Sequence, residues 1–211
     1  MELHETEVKV PAPVTAETVV HSLREVIKFL FFVRQQMPCS YDDLKSSLLA
    51  AVGAEALGLP ATEEVGADSR VEVQGAEGAR AAPAPAARPR ATSRERLAVK
   101  FFRELDALLG CLTPELLQTL RPTEVALFFG SSSLRPREIF SFALEQLPAP
   151  YATHCSVPSA ERVVANAARR VIRECIPTVA SCPPAASAMT AFLMVKAPCR
   201  ALSDSGAGAG A

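Results

Sequence analysis

Two groupings in this sequence could do chemistry: a thiol beside an imidazole, and a row of arginines on one helix. A thiol nucleophile needs a base within hydrogen-bond reach. His154 and Cys155 are neighbours in the chain, but successive side chains of a loop seldom face one another. The same pair with Cys175 and Cys182 lacks the paired spacing of a zinc site. His4, one of only three histidines, falls in an N-terminal tail. Asp42 and Asp43 read as acidic residues at a helix start, where the helix dipole favours negative charge, rather than as an acid/base dyad. No phosphate-binding, dinucleotide-binding or kinase signature is present. The expectation is a protein that is not an enzyme, with no catalytic residue, no metal and no cofactor.

The arginine row is more informative. Over 159–180 a helical period of 3.6 residues places Arg162, Asn166, Arg169 and Arg173 on one stripe, and Val164, Ala168, Val171 and Cys175 opposite. Ile172 sits at the border. Such a face is either solvated charge or a protein interface, where arginine beside an apolar residue is favoured. Between 159 and 200 six basic residues (Arg162, Arg169, Arg170, Arg173, Lys196, Arg200) face two acidic ones, Glu161 and Glu174. No stacking aromatics accompany them, so nucleic acid is not the expected partner. The whole chain agrees: Lys plus Arg is 22 against 23 for Asp plus Glu, a net charge of −1. Strong attraction to nucleic acid or an anionic membrane favours net positive charge.

The elements that must position this helix follow from capping signals and periodicity. Thr15 caps a helix to about Gln36 whose apolar residues Val19, Val20, Leu23, Val26, Ile27, Leu30 and Phe31 recur at three and four residues, with Pro38 as the stop. Arg24, on its polar side, reads as a free surface arginine. Ser40 with Asp43 resembles a capping box for a second helix to about Val52. Thr92 with Glu95 starts another, with Leu97, Phe101, Leu105, Leu108 and Leu112 as its apolar stripe. Thr113-Pro114-Glu115 opens a short helix with proline at its tolerated first position. Residues 124–129 read as a buried strand, 130–136 as a seven-residue turn, and 137–144 as a second strand with Phe140, Phe142 and Leu144 on one side. Residues 188–195 form a last strand, and 8–14 an edge strand at best. There is no β-α-β alternation, so the layout is α+β with a mostly antiparallel sheet.

Of the 211 residues, 49% are hydrophobic and 21% charged, ordinary globular usage. Residues 58–91 depart from it: poor in branched aliphatic residues and rich in Pro and Ala, they read as a disordered insertion. The tail 203–211 reads likewise. No apolar run reaches the length of a membrane span, and the N-terminus has no secretory h-region. Six cysteines without a C-x-x-C pair read as reduced thiols. A soluble intracellular protein is expected.

With these residues in view, a resemblance emerges. The run RRVIRECIPTVASCP, followed by a strand ending FLMV, is similar to the third helix and following strand of HORMA-domain proteins. EVIKFLFFVRQQMPCSYDDL, TLRPTEVALFFGSSSLRPREIFSFALEQL and APY at 149–151 resemble the comet family of HORMA-like, Mad-two-binding adaptors. The resemblance implies one HORMA-like domain over 8–200, interrupted at 58–91, with three main helices on a mostly antiparallel sheet. It implies a non-enzymatic adaptor that binds closed Mad-two and promotes its remodelling by the pachytene-checkpoint AAA+ ATPase. That would silence the spindle assembly checkpoint and let cells leave mitosis. The implied location is nucleus and cytoplasm, with spindle association in mitosis. The implied partner surface is Val33 and Arg34 at the end of the first helix, with Arg169, Ile172 and Arg173 on the last. Val33 stands where relatives have glutamine, and Ile172 where they have phenylalanine. Relatives also continue past the last strand into an aromatic-rich segment, whereas this chain runs ALSDSGAGAGA and has no Trp. An alternative or truncated form with a sheet incomplete at its C-terminal end is therefore expected. The rival reading is a non-catalytic scaffold whose Pro/Ala-rich segment recognises some other partner.

Overall fold

The computed structural model describes residues 15–59, 92–144, 160–183 and 187–198. Six helices and three strands lie within them: α1 (Ala16–Val33), α2 (Tyr41–Val52), α3 (Ala54–Leu57), α4 (Ser93–Gly110), α5 (Pro114–Leu120), β1 (Glu124–Ser132), β2 (Arg135–Ala143), α6 (Ala160–Ser181) and β3 (Thr190–Lys196). The architecture is α+β, with one open antiparallel sheet in the order β2-β1-β3. The expected strand at 8–14, all of the expected insertion at 58–91 except Gly58 and Leu59, the tail, APY at 149–151 and the His154–Cys155 pair lie outside the described residues. The chain divides into two compact units, Met1–Leu44 with Leu105–Ala211, and Lys45–Glu104.

Local capping signals set most helix starts. Thr15 Oγ1 accepts from the Thr18 amide at 3.1 Å, and Thr113 Oγ1 from the Leu116 amide at 3.1 Å, with Pro114 opening α5. At α4 the capping box closes in both directions: the Glu95 amide donates to Thr92 Oγ1 at 3.2 Å and the Thr92 amide to Glu95 Oε2 at 2.6 Å. At α2 the Ser40 hydroxyl accepts from the Asp43 amide at 3.2 Å and also donates to the Asp43 carboxylate at 2.7 Å.

The first helix stops three residues before the expected Gln36. Gln35 takes the left-handed conformation at φ 55°. Its amide donates to Phe32 O at 3.0 Å and that of Gln36 to Phe31 O at 2.9 Å. This paired pattern is a Schellman closure with glutamine in the place usually held by glycine, so α1 is already capped before Pro38 is reached.

In the smaller unit, α3 was not expected. It fits between Gly53 at φ 83° and a left-handed Gly58 at φ 70°, conformations that glycine adopts without a steric penalty. α4 runs from the smaller unit into the larger. Of its expected stripe Leu105, and Leu112 just past the helix, are buried, but Phe102 and Leu109 are buried in place of Phe101 and Leu108. Leu97 is 68% exposed. The sequence FFRELDALL carries two stripes that share Leu105, and spacing alone does not choose between them.

In the larger unit the hairpin is tighter than the sequence suggested. The strands run on to Ser132 and from Arg135, so two residues rather than seven make the turn. Register shifts around Gly130 absorb the mismatch. A Cβ at Gly130 would meet Arg135 O at 2.7 Å, so glycine is what permits this close approach. Pro136 is tolerated because β2 is an edge strand. Val125, Leu127 and Phe129 of β1 point to one face and are fully buried. Phe31 of α1 meets the Phe129 ring edge-on at 5.2 Å, and Phe140 meets it at 6.0 Å. α1 is thus the central support of this unit, packed against both α5 and α6.

Candidate functional surface

The surface is built on α6 and the end of α1. These helices pack along one another, and their C-terminal ends are tied together: Arg34, just past α1, donates to Pro183 O at 2.5 Å and reaches Cys182 O at 3.5 Å, just past α6. The two helices therefore run in the same direction.

Along α6 the expected division of faces is found. Arg162, Asn166, Arg169 and Arg173 are exposed, Ala168 is buried, and Val164, Val171, Ile172 and Cys175 are half-buried. Arg169 donates to Asn166 Oδ1 at 3.3 Å, an exposed pairing along the row. Ile176 continues the stripe one turn further and is 47% exposed, and Phe32 of α1 is 46% exposed toward the same end of the helix pair. Neither was singled out from the sequence. The signal was available for Phe32, an aromatic residue off the apolar stripe of its own helix.

Val33 is half-buried. Arg34 is not presented at the surface. It is 3% exposed, and its Nε donates to Glu138 Oε2 at 2.8 Å while Nη2 bonds Glu138 Oε1. This bidentate pair holds the guanidinium firmly protonated, since the Glu138 hydrogen bonds raise its pKa more than burial lowers it. Arg169, Ile172 and Arg173 share one helix face, then, while Arg34 is buried and held by Glu138 and the carbonyls past the end of α6.

Arg24 is also committed, contrary to the sequence reading of a free surface arginine. Its Nε donates to Leu109 O at 3.0 Å and Nη2 to Leu112 O at 2.7 Å, at the C-terminal end of α4. Neither α4 nor α6 has a basic residue in its last turn. Cations favour that end of a helix, and α1 supplies them from a distance, Arg24 for α4 and Arg34 for α6.

The remaining chemistry is structural in character. Tyr41 donates to Asp106 Oδ1 at 2.6 Å, and Lys28 lies 4.5 Å over the Tyr41 ring. Burial, then the Asp106 hydrogen bond, raises the Tyr41 hydroxyl well above the usual range. Burial also pushes the Cys175 thiol up, and the Glu174 charge adds to it, the reverse of what activates a nucleophile. Cys182 Sγ donates to Thr178 O at 3.4 Å. Among the described residues no cluster of His, Cys, Asp and Glu is arranged to hold a metal ion, and no helix is long and apolar enough to cross a membrane.

No family model matches the chain, and no curated protein matches it.

What the arrangement can do is present a row of exposed cations flanked by apolar side chains. Charged and apolar groups so interleaved suit a protein partner with an acidic and apolar complement.

Proposed function

We propose that this chain is a non-enzymatic, HORMA-like adaptor that binds closed Mad-two and presents it to the pachytene-checkpoint AAA+ ATPase for remodelling, silencing the spindle assembly checkpoint. The observation that carries the reading is the exposed Arg162–Asn166–Arg169–Arg173 row beside Ile172 on α6, a helix seated on α1. The residues that resemble the comet family fall on this helix, on the end of α1 and on the β1–β2 hairpin. An α+β layout with an open antiparallel sheet is compatible with it.

The test is capture of conformation-locked closed Mad-two. Arg173→Glu reverses a charge on an exposed position, which the fold tolerates, and places an unpaired charge in the contact, at a typical cost of about 2–5 kcal/mol of binding. Capture should be lost with helicity and melting unchanged. Arg24→Glu is no neutral control, because Arg24 holds the end of α4. Arg103→Glu, exposed on α4, takes that place and should bind as wild type. Undiminished capture by Arg173→Glu removes α6 from the interface and overturns the reading.

A further inference from the structure

The end of α6 is only partly secured by the helix itself. Pro177 lies inside it and has no amide to donate to the Arg173 carbonyl, one turn earlier. Its last turn holds no basic residue. Ser181 Oγ covers Thr178 O at 2.7 Å and the Cys182 amide Val179 O at 3.2 Å, and the carbonyls just past the helix, of Cys182 and Pro183, take donors from elsewhere.

Those donors come from Arg34, at the close of α1. Arg34 bonds Pro183 O at 2.5 Å and reaches Cys182 O, while Glu138 of β2 grips the other edge of the same guanidinium. Gln36 completes the arrangement on the far side of the α6–β3 connection. Its Oε1 accepts from the Met189 amide at 2.7 Å, and its Nε2 donates to Arg34 O at 2.9 Å and reaches Ser187 O at 3.4 Å. The left-handed Gln35 between them turns the chain so that residues 34 and 36 grip the two flanks of one connection.

The consequence bears on the surface above. The partner surface that the resemblance implies draws on both helices, Val33 at the end of α1 and Arg169, Ile172 and Arg173 on α6. The relation of its halves depends on how the two helix ends are fastened. We infer that Arg34 and Gln36, with Glu138 behind Arg34, are positioning residues that lock the ends of α1 and α6 in the register needed to capture the partner. This rests on the proposed function for the identity of the partner, and it reassigns Arg34 from contact to support. Glu138 is the informative member. It lies on β2, opposite Phe129 on the covered side of the sheet, with a side chain only 23% exposed, so its effect on capture has to pass through Arg34.

The experiment measures Kd for conformation-locked closed Mad-two by calorimetry, well below the melting temperature of every variant, with amide exchange in parallel. Glu138→Gln and Gln36→Ala should each weaken capture about tenfold at unchanged stoichiometry. The Met189 amide should exchange faster in Gln36→Ala, and faster exchange should extend to the last turn of α6 in Glu138→Gln. A merely structural role would lower melting and leave the Kd of the folded protein where it was. Arg34→Lys keeps the charge and loses the fork, and is the variant of recourse if another fails to fold; it too should lose about tenfold. Wild-type affinity in the variants overturns the inference. Loss confined to Arg34 substitutions, with Glu138→Gln and Gln36→Ala binding normally, makes Arg34 a direct contact and also overturns it. If the wild-type chain does not capture Mad-two, the proposed function falls. The lock is then decided by exchange alone, and unchanged protection at Met189 and α6 in the variants disproves it.

Discussion

Both faces of the sheet carry large apolar residues, in different surroundings. On one, Val125, Leu127 and Phe129 are fully buried and α1 lays Phe31 against Phe129. On the other, Phe128 stands in register between Ile139 and Phe192, and the next row runs Ser141, Ala126, Met194. Here Ile139 is 39% and Met194 47% exposed among the described residues. A buried methylene is felt because its neighbours cannot close the gap it leaves, whereas a side chain facing solvent already has water on one side. The same residue types in one strand should thus carry very different weights, decided by which way the pleat turns them.

Phe129→Ala should have the largest effect. Removing a fully buried ring that touches two others should cost about 3–5 kcal/mol, read as a shift in the denaturant midpoint. A loss as small as that of an exposed residue would mean that α1 does not seal this face. Met194→Thr tests the other face. The change keeps strand propensity on a half-exposed position and should move stability by no more than about 0.5 kcal/mol. A large loss would show that this second face is covered in solution.

The smallest effect concerns the rim of the second face, where Glu124 bonds the Ser141 hydroxyl and pairs with Lys196 at 3.5 Å. The Ser141 hydrogen bond chiefly, and Lys196 after it, hold the Glu124 carboxyl below its ordinary value. A carboxyl depressed in the folded state stabilises above its unfolded pKa, and that contribution fades as pH falls through the folded one. Glu124→Gln should therefore lose slightly at neutral pH and show a flatter acid limb in melting against pH. An unchanged limb would mean that the rim contributes nothing to acid sensitivity.

These contrasts also explain what the sequence made legible. Capping depends on residues three apart, so Thr15, Ser40, Thr92 and Thr113 each marked a helix start correctly. The alternation of Phe140, Phe142 and Leu144 located β2, because only one of its faces is apolar. β1 is apolar on both faces, so its burial was legible but not its orientation. The hairpin tip misled because Gly130 and Pro136, both turn formers, serve there as a bulge and an edge position. For the candidate surface, the exposed α6 row followed from period alone. The roles of Arg24 and Arg34 did not, since their acceptors lie 85 to 149 residues along the chain. Nothing local marks an arginine that serves another helix.

Those separations set the order of assembly. α1 precedes every other described element along the chain, yet Arg34 meets Pro183 only after 149 further residues. Bringing such distant points together costs chain entropy that grows with the logarithm of the loop, and domains dominated by distant contacts fold slowly. α1 closes its own hydrogen bonds early, but its arginines must wait for the ends of α4 and α6. Until then the apolar stripe of α1 has no lasting cover. A nascent chain caught in that interval would be a natural client for a chaperone that shields one amphipathic helix.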